Sequence, residues 1–307
     1  MSGCSQGAQS KMAFDADSTF DASSIVTDYM YEAMKKEGRL VGGQGITGSR
    51  SRIVERIRVG AYPVGGKIGL QPGPGLLDFL LPRILGATEG DDDEFSLAES
   101  LQSMSVMIDK VGSIFRYDSA YVNRAVFRAT AGPGDNDPEI VELVLDLVAK
   151  TETGGLTWPG TVPALTITSN FMPYILSDAV LTIGGTPYQF KQFALVIENF
   201  LQTRWVNSLT ASQICPRDRR VSLIVENPFT STEYAAFYGS SDQSTGLAAT
   251  LVFTNGTMST TFTMPCLTWP DETPTVRGKQ EIPYWIVFDA LKSDTDAELT
   301  VTNDSVE

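Results

Sequence analysis

LAATLVFTNGTMSTTFTMP, Leu247 to Pro265, reads as a β-hairpin. Leu251 and Phe253 alternate with smaller or polar residues on the way in, and Met258, Thr260 and Phe262 alternate on the way out. Between them Asn255-Gly256 signals a two-residue hairpin turn of type I′, which needs φ > 0 at both central positions. Met104 to Tyr117, MSVMIDKVGSIFRY, echoes it: two apolar runs around a polar turn at Asp109–Ser113 that contains Gly112. Each hairpin leads through a polar, Pro-containing connection into a long strand, EIVELVLDLVAK (Glu139–Lys150) or EIPYWIVFDALK (Glu281–Lys292). These two align without a gap, Glu139 on Glu281, Ile140 on Ile282 and Lys150 on Lys292. Upstream, Val64–Leu85 reads as a strand, a Pro/Gly break and a short apolar helix, and Val221–Tyr238 repeats that plan. The chain therefore reads as a β-rich unit of roughly 130–140 residues used twice, a self-similarity that takes precedence over any other fold argument.

The expected organisation is an N-terminal arm at residues 1–24, a first unit at 25–154, a linker at 155–172 and a second unit at 173–307. Each unit is long enough for its own core. Ile53–Gly60 and Val64–Gln71 read as a β-pair, and Leu165–Thr168, Ala179–Ile183 and Tyr188–Asn199 as strands, with Gly184-Gly185 turning the chain between the last two. Pro82 inside Leu76–Leu85 predicts a kinked or shortened helix. Two long polar loops, Arg39–Arg52 and Thr203–Arg220, precede equivalent strands; loops of that length in a compact domain are functional or disordered. Arm and loops are expected to be mobile in the free subunit, and deletion of residues 1–20 to leave the fold intact.

Composition excludes much chemistry. The 307 residues include no histidine, which removes Ser-His-Asp and Cys-His nucleophiles and His-based metal sites. A net charge of −14 disfavours tight binding to phosphate backbones. Cys4, Cys215 and Cys266 are scattered without CxxC spacing, as in a chain made in a reducing cytoplasm. No run reaches the roughly 18–20 apolar residues of a membrane span. The polar N-terminus MSGCSQGAQSKMAFDADSTF lacks the apolar core of a signal peptide. Gly43-Gln-Gly45-Ile-Thr-Gly48 spells GxGxxG, but a strand-like segment follows where a dinucleotide loop would open a helix. Asp91-Asp92-Asp93-Glu94 lacks the spaced ligands of a calcium loop and reads as a solvated charge run. Asn255-Gly-Thr257 and Asn303-Asp-Ser305 match the glycosylation acceptor, which is idle without secretion. Asp146 and Glu198 could serve as a hydrolytic carboxylate pair, yet no spacing singles them out and solvent-facing strand positions account for them. No cofactor, metal or catalytic residue is expected. Trp205 with Arg204 reads either as a tucked loop anchor or as an interface contact, where Trp and Arg are enriched.

Five stretches in order carry a family resemblance: Gly48–Arg56 (GSRSRIVER), Gly66–Pro72 (GKIGLQP), Leu80–Gly86 (LLPRILG), Phe253–Gly256 (FTNG) and Leu299–Ser305 (LTVTNDS). From about Gly7 to the end, the chain resembles the tail tube (major tail) proteins of long, flexible-tailed bacteriophages. The resemblance implies a mainly β fold of two tandem tail-tube-type domains, each an antiparallel β-sandwich or barrel flanked by a short helix. It implies a non-enzymatic virion protein, made in the host bacterial cytoplasm, whose stacked rings form the conduit for DNA ejection. Partners would be further copies of itself, the tail terminator, tape-measure and distal tail proteins, and passing double-stranded DNA without specific binding. One domain per chain gives six-fold rings in that family, so two per chain imply homo-trimeric rings with pseudo-six-fold symmetry and, from the charge, an acidic bore. Arg50, Arg52, Arg56, Arg204, Trp205, Arg217 and Arg219 are the expected inter-ring or inter-subunit contacts. The alternatives are a decoration or tail-tip adhesin module recognising a surface carbohydrate, and a two-carboxylate glycoside hydrolase.

Overall fold

The hairpin is present, with its turn one residue further on than the sequence suggests. Asn255 pairs with Met258, so Gly256 and Thr257 are the central residues. Only Gly256 has positive φ, at 64°, which is the pattern of a type II′ turn. The expected type I′ geometry occurs in the other hairpin, where Val111 (φ 58°) and Gly112 (φ 85°) are both left-handed and Lys110 N–H donates to the Ser113 carbonyl at 3.0 Å. A β-branched residue pays a steric penalty there of about 1–2 kcal/mol. Val111→Asn is therefore expected to raise stability by about 1 kcal/mol, read as a shifted urea midpoint at unchanged slope.

The structure is a computed structural model describing residues 7–43, 51, 54–87, 89–90, 93–132, 139–166, 168–276, 278–279 and 281–306, without the Thr232 side chain. Arg50, Arg52, Asp91, Asp92 and most of the GxGxxG run lie outside the described residues. The first half contains β1 (Lys11–Asp15), β2 (Ile25–Thr27), β3 (Tyr31–Glu32), β4 (Lys35–Lys36), β5 (Leu40–Gly42), β6 (Ile57–Val59), β7 (Val64–Leu70), α1 (Pro74–Leu85), β8 (Glu94–Ser96), β9 (Met104–Asp109), β10 (Ile114–Thr130), β11 (Glu142–Ala149) and β12 (Thr151–Leu156). The second contains β13 (Ala179–Ile183), β14 (Thr186–Tyr188), β15 (Gln192–Glu198), β16 (Gln202–Arg204), β17 (Gln213–Cys215), β18 (Arg220–Pro228), α2 (Ser231–Phe237), α3 (Asp242–Thr245), β19 (Leu247–Asn255), β20 (Met258–Thr268), β21 (Pro283–Ala290) and β22 (Thr300–Asp304).

The described ladders are all antiparallel, and the halves repeat them pair for pair. β1–β2 answers to β13–β14, β1–β9 to β13–β19, and the β3/β4–β7 pairing to β15–β18. β5–β6 answers to β16–β17, β7–β11 to β18–β21, and β9–β10 to β19–β20. β10–β11 answers to β20–β21 and β10–β12 to β20–β22. Two ladders then join the halves, β10–β15 and β22–β8. The linked ladders wrap in a barrel-like arrangement around one apolar cluster drawn from both halves and capped by α1.

Parity corrects the alignment of the two long strands. Matching Glu139 to Glu281 puts buried Leu143 on exposed Trp285. The structure instead equates Leu143, Leu145, Leu147 and Ala149 with Tyr284, Ile286, Phe288 and Ala290, all buried and all facing the equivalent neighbour. A one-residue slip exchanges the two faces of a strand, so the gapless match cannot be the structural one.

Other expectations need correction too. The arm holds β1, an interior strand between β2 and β9 whose Met12, Ala13 and Phe14 are fully buried. Residues 57–59 pair with β5 rather than with β7. Leu165 lies outside any strand and is exposed. Helix α1 continues past Pro82 to Leu85. Its proline sits in the last turn, where the Gly86 N–H still closes on the Pro82 carbonyl at 2.9 Å. The Gly184-Gly185 turn is as expected, with φ of 58° and 79° between paired Ile183 and Thr186.

Candidate assembly surface

Both polar loops are β-hairpins, in equivalent places before β7 and β18. In the first, Leu40 pairs with Val59 and Gly42 with Ile57. Among the described residues β5 and β6 pair only with each other, and their apolar side chains stay exposed. Leu40 is 71% and Val59 59% exposed, and Val41, Val54 and Ile57 are exposed as well. In the second, Gln202 pairs with Cys215 and Arg204 with Gln213. Ala211 and Ile214 anchor it by burial, while Trp205 (39% exposed), Val206 and Leu209 project. The hairpins meet where Tyr62 N–H donates to the Leu209 carbonyl at 3.2 Å, and the Lys36 ammonium lies 4.0 Å above the Tyr62 ring. Exposed apolar side chains of two adjoining hairpins thus stand among exposed Arg39, Arg56, Arg58 and Arg204. Large apolar side chains left exposed together, with arginines beside them, point to a protein interaction surface.

Of the residues singled out in the sequence, the structure places Arg56, Arg204 and Trp205 on these hairpins. Arg217 is exposed after β17. Arg219, at 18% side-chain exposure, turns inward, donating from Nη1 to the Ala98 carbonyl at 3.0 Å with Nη2 3.6 Å from Glu99. It ties the halves together.

A second feature was not visible in the sequence. The strands β7, β11, β10, β15, β18 and β21 form a sheet running through both halves, and its solvent face carries a row of alternating charge. Lys67 stands opposite Asp146, Asp146 opposite Arg124, Arg124 opposite Glu198, and Glu198 opposite Arg220. Arg124 Nε lies 3.1 Å from Glu198, and Arg220 reaches Asp289 on β21 at 2.8 Å. Burial pushes the Asp146 carboxyl up, against the pull of Lys67 and Arg124. Asp146 and Glu198 therefore flank a guanidinium and do not face each other as a carboxylate pair. Glu142, itself buried, takes Arg128 Nη2 at 2.6 Å on the same face. Like charges directly opposite on a sheet are destabilising. Arg124→Glu is expected to cost about 1–2 kcal/mol, with part recovered by adding Glu198→Arg, in a double-mutant cycle of denaturation midpoints.

Among the described residues no group of three or more Cys, Asp or Glu is placed to hold a metal, and no helix is long and apolar enough to cross a membrane. No curated protein matches the chain. The sequence profile of the phage tail tube proteins matches residues 7–302, nearly its whole length. The matched region takes in both hairpins, the charged row and both copies of the ladder plan, and the chain belongs to the phage tail tube protein family.

Proposed function

We propose that three copies of this chain close a ring, that rings stack into the tail tube, and that the tube conducts DNA at ejection. The carrying observation is the repetition of the ladder plan along one continuous sheet. Two equivalent wall elements per chain give six per three-chain ring, and a head-to-tail interface that closes gives cyclic symmetry. On this reading the tandem domains lie at 25–154 and 173–307, the first widened to include β1. The hairpin surface makes the ring-to-ring contacts, through Arg56, Arg204 and Trp205 among the expected residues. At the tube ends the terminator, tape-measure and distal tail proteins use these faces, after assembly in the host cytoplasm.

The sheet face with the charged row lines the bore. That revises the expectation of an acidic bore, because cations and carboxylates alternate on it. Each phosphate then meets attraction and repulsion in turn, and the duplex slides without a continuous cationic track to hold it. Mass per unit length of assembled tubes, with the symmetry of their cross-section, tests the proposal. Three chains per ring are expected; six would mean that the second half is not a wall element.

A further inference from the structure

The ladder plan is duplicated, but the β10–β15 ladder has no second copy within the chain. In the first half, Arg124–Thr130 of β10 pairs on one side with β11 and on the other with β15. The corresponding stretch of the second half begins where β20 leaves β21, since Leu267 and Thr268 pair with Ala290 and Asp289 and the chain runs on as Trp269–Val276. Residues 270–276 form no strand and, Pro274 apart, are exposed. Among the described residues, β21 from Pro283 to Phe288 has a ladder only to β18, and a cavity of about 150 Å³ separates its start from Glu272–Thr275. At the other end of the same sheet, the counterpart of β15 is Tyr31–Glu37. Its described ladders run only to β7, and Lys35 and Lys36 are exposed. One chain thus ends in an unpaired acidic segment (Asp271, Glu272) and begins at an unpaired edge carrying two lysines.

We propose that residues 270–276 of one copy become a strand on assembly, pairing antiparallel with residues 31–37 of the next copy and supplying the missing ladder between chains. This rests on the ring reading above and names its lateral contact. The register of β10 on β15, carried over, sets Glu272 opposite Lys36 and Thr273 opposite Lys35. Asp271 then falls opposite Glu37; Asp271 accepts the Gly239 N–H at 2.9 Å and Glu37 holds Lys35 at 2.7 Å, so each acid already has a partner. Pro270 and Pro274 share one strand parity and lack their N–H toward the same neighbour. That side faces the incoming copy, because the Ala33 N–H on the Lys67 carbonyl and the Glu37 N–H on the Pro63 carbonyl turn the odd positions of residues 31–37 toward β7 and leave Glu32, Met34 and Lys36 facing out. Glu272 opposite Lys36 and Val276 opposite Glu32 then donate across the new ladder, with Pro274 opposite Met34. The edge of Tyr31–Glu37 accepts at its two ends, because Lys110 and Tyr117 already occupy the Met34 carbonyl in the middle. Prolines and charge at an unpaired edge keep free subunits from pairing at random.

Paired residues on adjacent antiparallel strands have Cα atoms within disulfide reach. Lys36→Cys with Glu272→Cys, in a chain whose Cys4, Cys215 and Cys266 are changed to Ser, is expected to oxidise in assembled tubes to a non-reducing gel ladder ending at three linked chains. Either single variant is expected to stay unlinked. Hydrogen exchange on the unaltered protein gives an independent reading: the amides of Glu272 and Val276 are expected to slow at least about tenfold from free chain to tube. Three-fold tubes with no cross-link and unchanged exchange overturn this contact while the ring reading stands. Six chains per ring overturn the ring reading itself, whatever the cross-linking shows.

Discussion

Leu40→Asp combined with Val59→Asp is expected to leave the subunit folded and to stop tube growth at ordinary concentrations. The two side chains face each other across β5 and β6, and both are largely exposed, at 71% and 59%. Exposed positions of this kind change folding stability by no more than about 0.5 kcal/mol. Their value lies in what they bury on docking. Covering a Leu or Val side chain is worth about 1.5–3 kcal/mol each, and placing carboxylates there adds the cost of burying unpaired charge. A loss of about 4 kcal/mol per contact corresponds to roughly a thousandfold rise in the concentration needed for polymerisation. Thermal unfolding of the free subunit is the control, and sedimentation across a concentration series is the readout. Leu40→Thr with Val59→Thr is expected to fall between the double Asp variant and the unaltered chain. Polymerisation of the Asp variant at the unaltered chain's threshold would remove this hairpin from the ring-to-ring contact.

What could be read from the sequence follows from the range of the forces involved. The hairpin around Gly256, the break at Pro72-Gly73 before α1 and the Gly184-Gly185 turn are local, and short-range sterics favour them before any packing is considered. The repetition was legible because the order of strand, helix, hairpin and strand is a pattern along the chain. Its register was not. Leu143 and Trp285 look interchangeable in an apolar run, and only the neighbouring strand decides which parity faces the core. The alternating charge row is long-range in the same way. Lys67, Arg124, Glu198 and Arg220 are scattered through the sequence and meet only through successive ladders. Candidates on the two loops were visible as arginines, with a tryptophan on the second, but the apolar side chains beside them, Leu40, Val59 and Leu209, look like core residues until their exposure is seen. Arg219 shows the converse, a loop arginine turned back onto Ala98 and Glu99.

Deleting residues 1–20 is expected to unfold the subunit, against the sequence reading of that segment as an arm. The segment looked dispensable because MAF is a short apolar run among Ser, Gly and Asp, whereas a half-buried strand would alternate. Lack of alternation here means burial on both faces. Met12 and Phe14 belong to the main core, and Ala13 packs on the opposite face with Phe20, Met107, Ile114 and Val162. The linker residues Val162 and Trp158 cover that second face, so a stretch read as a connection completes the burial of a stretch read as a tail. Deletion removes the strand between β2 and β9, leaving two ladders without a partner and two apolar clusters open to water. Phe14→Ala alone is expected to cost about 3–5 kcal/mol, a large share of the about 5–15 kcal/mol that holds a typical domain together. Removing residues 1–6 leaves β1 and both clusters complete in sequence and is expected to leave the unfolding midpoint unchanged. Circular dichroism melts of the two deletions and of Phe14→Ala separate the cases. A chain lacking residues 1–20 that melts like the intact protein but fails to polymerise would restore the arm and contradict the interior strand.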